Sequence, residues 1–178
     1  AMSLQPLASD IIFLLQDAEN PKSMKWDVLR DVLLKNEHFI LYGFSWILWL
    51  AWGVAEFPQD IKELLRDKEI SFVHSGGWKK LEAIKVQHDD FNTAVLRAVG
   101  KTSKVIDFYG LVEQMGIIYP MCEYGARHVP VWADIIIRDV YTLKPLMEET
   151  GQIQLLNVLA YGAPYHSVLT EDVGRLIP

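Results

Sequence analysis

Phe39–Ala55 (FILYGFSWILWLAWGVA) limits the possible folds more than any other stretch of this chain. Its 17 residues carry no charge, which leaves the interior of a membrane or the interior of a folded domain. A spanning helix needs about 20 predominantly apolar residues. Gly43 also divides the run into a strand-like FILY and a helix-like FSWILWLAWGVAEF, in which Trp46, Trp49 and Gly53 recur at helical spacing with Trp52 beside them. The expectation is a buried strand followed by a helix packed between layers, with no membrane span.

The flanking pattern extends this into an alternation of helices and strands. Leu4–Glu19 places Leu4, Leu7, Ile11, Ile12, Leu14 and Leu15 at helical intervals, with Ser9 and Asp10 as early capping groups and Asn20-Pro21 as a stop. Ser23–Asn36 predicts an amphipathic helix with Trp26, Leu29, Val32 and Leu33 on one face. Pro58 suits the first turn of a helix running to Lys68. Ile70–His74 is a short strand entering Ser75-Gly76-Gly77, and His88–Val99 is a helix that Gly100 would cap. Strands follow at Val105–Tyr109, Trp132–Val140 and Gln152–Val158, with a break at Pro120. The predicted class is α/β: a helical entry (1–38), a mostly parallel sheet flanked by helices (39–119), then an antiparallel strand-rich portion (120–178).

Composition removes several functions. Of the 178 residues 51% are hydrophobic and 22% charged, so the chain folds. The net charge is −6 and the longest basic block is Lys79-Lys80, which argues against nucleic acid, whose phosphates need clustered Lys and Arg. One cysteine, Cys122, excludes an internal disulfide and suits a reducing, cytoplasmic compartment.

Five polar motifs interrupt the apolar pattern. Val105–Gly116 (VIDFYGLVEQMG) ends a strand in an aromatic–Gly turn with Glu113 beyond it, the way a sheet edge presents polar groups to a ligand. His74-Ser75-Gly76-Gly77 allows close backbone approach to a planar or anionic ligand, or is a plain tight turn. Gly100-Lys101-Thr102-Ser103 lacks the earlier glycine of a phosphate loop, since position 95 is Val95. Cys122, Glu123 and His128 have no second Cys pair to complete a zinc site. Thr170-Glu171-Asp172-Val173-Gly174 places an acid in a polar turn, where both carboxylate oxygens can accept from a pair of hydroxyls.

Taken in order, FVHSGGWKK (Phe72–Lys80), DFYGLVEQ (Asp107–Gln114), YPMCEYGARHVP (Tyr119–Pro130), GQIQLLN (Gly151–Asn157) and LTEDVGRL (Leu169–Leu176) resemble the adenylate-forming superfamily. The match is best to its acyl-protein synthetase (LuxE-type) branch, with phenylacetate–CoA ligases as near relatives. The resemblance implies part of a large N-terminal adenylation domain, ATP or AMP and Mg²⁺ as cofactors, and a carboxylic acid, a fatty acid, as substrate. The acyl acceptor would be a partner protein's thiol, or CoA in the alternative reading. Gly76 and Gly77 would lie against adenine with Ser75 and Trp78 beside them. Tyr109 and Gly110 would pack along the adenine and the α-phosphate, Glu113 would hold Mg²⁺, and Asp172 would grip the ribose hydroxyls. Val112 replaces the family's usual hydroxyl residue, a departure that the LuxE branch tolerates. The phosphate loop, the adenylating lysine and the acyl-accepting cysteine have no counterpart here, so the chain is expected to be the middle of a longer enzyme, inactive alone. A binding or assembly module that retains the fold is the remaining alternative.

Overall fold

The computed structural model describes residues 8–18, 20–78, 83–114, 116–159 and 164–177. They fall into two compact units, Ala1–Asp107 and Phe108–Pro178. The first contains α1 (Trp26–Lys35), β1 (His38–Phe44), α2 (Ser45–Leu48), α3 (Gln59–Leu65), β2 (Glu69–Ser75) and α4 (His88–Leu96). A final strand, β3 (Lys104–Tyr109), carries the chain across the boundary.

Strands β1 and β2 pair in parallel, His38 opposite Glu69 and Phe44 opposite Ser75, and β3 lies next to β2. The period-2 pattern decides which side of β2 is covered: Ile70, Phe72 and His74 are buried and the residues between them are half-exposed. Leu29 and Leu33 of α1, Ile61 and Leu65 of α3, and Phe91 and Val95 of α4 join them in one core. The apolar run supplies its centre. Trp52 is 1% exposed, edge-on to Phe57 and Phe72 with ring centroids 4.9 and 5.3 Å away. Its indole N–H donates to the Val95 carbonyl at 3.0 Å, so this buried polar group is satisfied. The run is thus strand then helix, as expected, but the strand is not the buried one expected: β1 alternates exposed and half-exposed residues, with Ile40, Tyr42 and Phe44 on its exposed side. No described helix is long and apolar enough to cross a membrane.

Three local expectations are corrected. The helix after β1 stops at Gly53, short of Phe57, because α2 widens into a π turn over Trp49–Gly53 in which Val54 N–H reaches the Trp49 carbonyl. The helix expected over Leu4–Glu19 is absent from residues 8–18; Leu4–Leu7 and Glu19 lie outside the described residues. Leu15 instead bridges Met24 antiparallel. The turn between them is tied by Ser23, whose Oγ accepts from Asp17 N–H and donates to the Asn20 carbonyl at 2.7 Å, and by Asn20 Oδ1, which accepts from Lys22 N–H. Short polar side chains that capture nearby backbone groups compete with a helix and here prevail. Last, α4 ends at Leu96 and Gly100 does not adopt the left-handed conformation of a cap. Its N–H bonds the Lys68 carbonyl at 3.0 Å, and a Cβ there would lie 2.8 Å from that oxygen. Close approach explains this glycine.

The second unit is antiparallel. Strand β4 (Tyr119–Pro120) pairs with the end of β3, Tyr109 opposite Tyr119, so Pro120 extends a short strand where a break was expected. A second sheet runs β6 (Pro145–Leu146), β5 (Ala133–Arg138), β7 (Gly151–Asn157), β8 (Ser167–Gly174). Ile117, Tyr119 and Leu155 form its small core, with Tyr109, Ile135 and Ile153 packed around them. The stretch Thr170–Gly174, expected as a turn, is part of β8: Val173 and Gly174 lie opposite Gln152 and Gly151, and Thr170–Asp172 fall at a register shift before the pairing resumes at Leu169 opposite Gln154. The overall class is the expected one: mixed α/β, parallel first and antiparallel after.

Candidate functional site

In the first unit the Ser75–Trp78 segment leaves β2 at its C-terminal end. Gly76 has φ +85° and the Phe44 ring 3.3 Å from where a Cβ would sit, so any other residue would be strained at this turn. Gly77 differs. It has ordinary φ, and no described atom lies within 4 Å of its missing Cβ. Among the described residues nothing demands a glycine at 77, and the space beside it is open. Trp78 does not line that space: it is 7% exposed, with its ring in the core against Trp49 and Phe91 at 5.9 and 6.3 Å.

Below the turn sits a polar pair that the sequence did not bring to notice. Ser45, the first residue of α2, is 6% exposed, and His74 of β2 is 4% exposed. Ser45 Oγ lies 2.9 Å from His74 Nδ1, 3.1 Å from the Ser75 carbonyl and 2.8 Å from the Gly76 carbonyl. The signal was present in retrospect. A lone serine inside an uncharged run must find buried partners.

In the second unit, Tyr109 Oη donates to Asp172 Oδ2 at 2.6 Å, joining residues 63 positions apart. Burial, and then the bond to Asp172, push the Tyr109 phenol well above the usual tyrosine range, so it remains a donor at neutral pH. Asp172 N–H bonds Thr170 Oγ1, which itself donates to the Ile153 carbonyl at 2.9 Å. The carboxylate is exposed and its Oδ1 retains capacity to accept. Beside Tyr109, ring centroids 6.0 Å apart, Tyr119 closes the underside; burial, with a smaller push from Asp134, raises its phenol too.

Gly110 follows Tyr109 with the Ile117 carbonyl 3.1 Å from its Cβ position. The next turn, Val112–Gln114, is anchored by buried Gln114, whose Nε2 donates to the Tyr165 carbonyl at 3.0 Å. Val112, 88% exposed, and Glu113 are left in solvent. No group of three His, Cys, Asp or Glu among the described residues is placed to hold a metal. A Mg²⁺ ion at Glu113 would need its remaining ligands from outside the described residues, as where one carboxylate stands beside substrate phosphates. Cys122 lies in a hairpin closed by the Met121–Arg127 bridge. Open hollows among the described residues include one of about 490 Å³ beside Phe57, Lys62, Arg66 and Arg97 and one of about 330 Å³ beside Trp132, Asp134, Asn157 and His166.

Among solved structures, the chain is similar to the anthranilate CoA ligase AuaEII in complex with anthranoyl-AMP, with TM-score 0.60 and 15% identity over 96% of this chain and 32% of that one. A benzoate CoA ligase from Burkholderia xenovorans LB400 gives 0.56 and 15% over 86% and 32%. ATP-bound MatB from Rhodopseudomonas palustris gives 0.54 and 12% over 86% and 31%. At these identities the likeness establishes the fold, and the chain spans about a third of each relative. No curated protein matches the sequence. The family model for the acyl-protein synthetase LuxE matches residues 16–177. The chain belongs to the LuxE acyl-protein synthetase family.

Proposed function

We propose that the protein carrying this chain activates a carboxylic acid, specifically a fatty acid, with ATP to an acyl-adenylate and then passes the acyl group to a protein thiol. The observation that carries the reading is the Tyr109–Asp172 pair, which brings two residues of separate motifs into direct contact. In this reading the ribose hydroxyls donate to Asp172, whose orientation Tyr109 and Thr170 hold, and the ring of Tyr109 packs along the nucleotide. The Gly76–Gly77 turn takes the base through its open side. Glu113 would be a ligand to Mg²⁺, which when bound offsets the charge of the phosphates. The attacking group is the substrate carboxylate, so the first half-reaction needs no protein nucleophile. Cys122 suits a reducing compartment and we place the protein in the cytoplasm.

The test is acid-dependent ATP–pyrophosphate exchange by the longer protein, with a panel of fatty and aryl acids. Exchange stimulated by fatty acids is expected. Stimulation by aryl acids alone would replace this reading by an aryl-CoA ligase of the phenylacetate type, and no exchange with any acid would leave a non-catalytic module.

A further inference from the structure

Ser45 Oγ has one proton and three neighbours within 3.1 Å. Two of these, the carbonyls of Ser75 and Gly76, only accept. If the hydroxyl donated to His74 Nδ1, neither carbonyl would receive its bond, and Ser45 would contribute nothing to the turn. The arrangement closes when His74 Nδ1 carries a proton and donates to Ser45 Oγ, leaving the hydroxyl to donate to Gly76 O at 2.8 Å with Ser75 O as second acceptor. The register makes this possible. Gly43 lies opposite His74 and Phe44 opposite Ser75, so Ser45 is the first residue past the paired strands and stands beside the turn. The His74 ring is in turn fixed against Phe91, centroids 4.6 Å apart.

We propose that Ser45 is a positioning residue for nucleotide binding: held by the Nδ1–H tautomer of His74, it fixes the peptide planes of Ser75 and Gly76 and so keeps the open side of Gly77 presented to the base. This rests on the adenylate reading and adds to it a residue outside the motifs that carry the family resemblance. Ser45 touches no reacting atom; it acts through the backbone of the turn.

Three measurements on the full chain test it. In the wild type, ¹⁵N-detected imidazole spectra should show His74 Nδ1 bearing the proton; an unprotonated Nδ1 overturns the proposal and needs no variant. In Ser45→Ala, ¹⁵N order parameters of Gly76 and Gly77 should fall while those of Ile70 and Phe72 hold, and AMP affinity should drop about tenfold, a change worth about 1.4 kcal/mol. Ser45→Thr, which keeps the hydroxyl, should restore both. Unchanged order parameters in the alanine variant overturn the proposal whatever AMP does, and equal AMP affinity despite a loosened turn overturns its nucleotide half. If wild type binds no AMP, the adenylate reading fails and takes that half with it, while tautomer and order parameters still decide whether Ser45 pins the turn.

Discussion

The two units build their candidate residues on different foundations. In the first, twelve buried apolar residues among those described form one cluster around Trp52, and the candidate is a backbone turn pinned from below by buried side chains. In the second, the cluster among the described residues has three buried members, Ile117, Tyr119 and Leu155, and the candidate is a pair of side chains at the surface of β3 and β8. A turn that must present backbone atoms needs a rigid base, because its geometry is set by groups with few rotatable bonds of their own. A tyrosine–carboxylate pair carries its geometry in one strong hydrogen bond and tolerates a thinner core.

The largest effect expected from this contrast is at Trp52. Trp52→Ala should cost about 3–5 kcal/mol in urea unfolding followed by tryptophan fluorescence, which reports chiefly the first unit because Trp26, Trp46, Trp49, Trp52 and Trp78 lie there and Trp132 alone lies in the second. Leu155→Ala should cost about 2 kcal/mol, read by hydrogen exchange of β7, since a small cluster can close over the gap. Equal losses would mean that core size does not separate the units. Next come the adjacent glycines. Gly76→Ala should destabilise by about 1–2 kcal/mol because alanine is strained in the left-handed region, whereas Gly77→Ala should fall within about 0.5 kcal/mol and act on AMP affinity instead. Similar stability costs at both positions would remove the distinction between a turn glycine and a ligand-facing one.

Smaller effects follow in the titrating groups. Tyr109→Phe should lose less than about 1 kcal/mol, given the exposure of Asp172. The raised phenol means its contribution is present below the ordinary tyrosine pKa of about 10 and is lost as pH rises past it. An absorbance titration should find Tyr109 un-ionised after a free tyrosine has ionised, and ionisation at the ordinary value would break the assignment. In the first unit, Lys68 holds the Glu37 carboxyl below its usual range. That contribution is present above the ordinary Glu pKa and lost as pH falls through the lowered one. Glu37→Gln should flatten the acid limb of the stability profile, and an unchanged limb would show that the pair carries no pH dependence.

Much of the fold was legible because period and charge say where a chain must hide. The alternation of β2 and the uncharged run through Trp52 are enough to place strand and helix. What was not legible depended on competition between local and distant partners. Leu14 and Leu15 sit at helical spacing, yet Ser23 and Asn20 offered their backbone neighbours better bonds. Gly100 looked like a cap because a sequence cannot show the Lys68 carbonyl pressing on it. Asp172 was placed in a turn since Thr-Glu-Asp-Val-Gly is polar, whereas it lies in β8 at an irregularity between two stretches paired with β7, and there it meets Tyr109. Ser45 escaped notice for a related reason: only the parallel register of β1 and β2 reveals what it holds.

The central claim is that this chain carries nucleotide-binding residues of an acid-activating enzyme, and an AMP titration followed by amide ¹H–¹⁵N spectra tests it most directly. The account predicts weak, saturable shifts at Gly77 and at Tyr109 and Asp172, lost in Asp172→Ala at the latter two. Spectra that do not move at those residues up to millimolar AMP would contradict it.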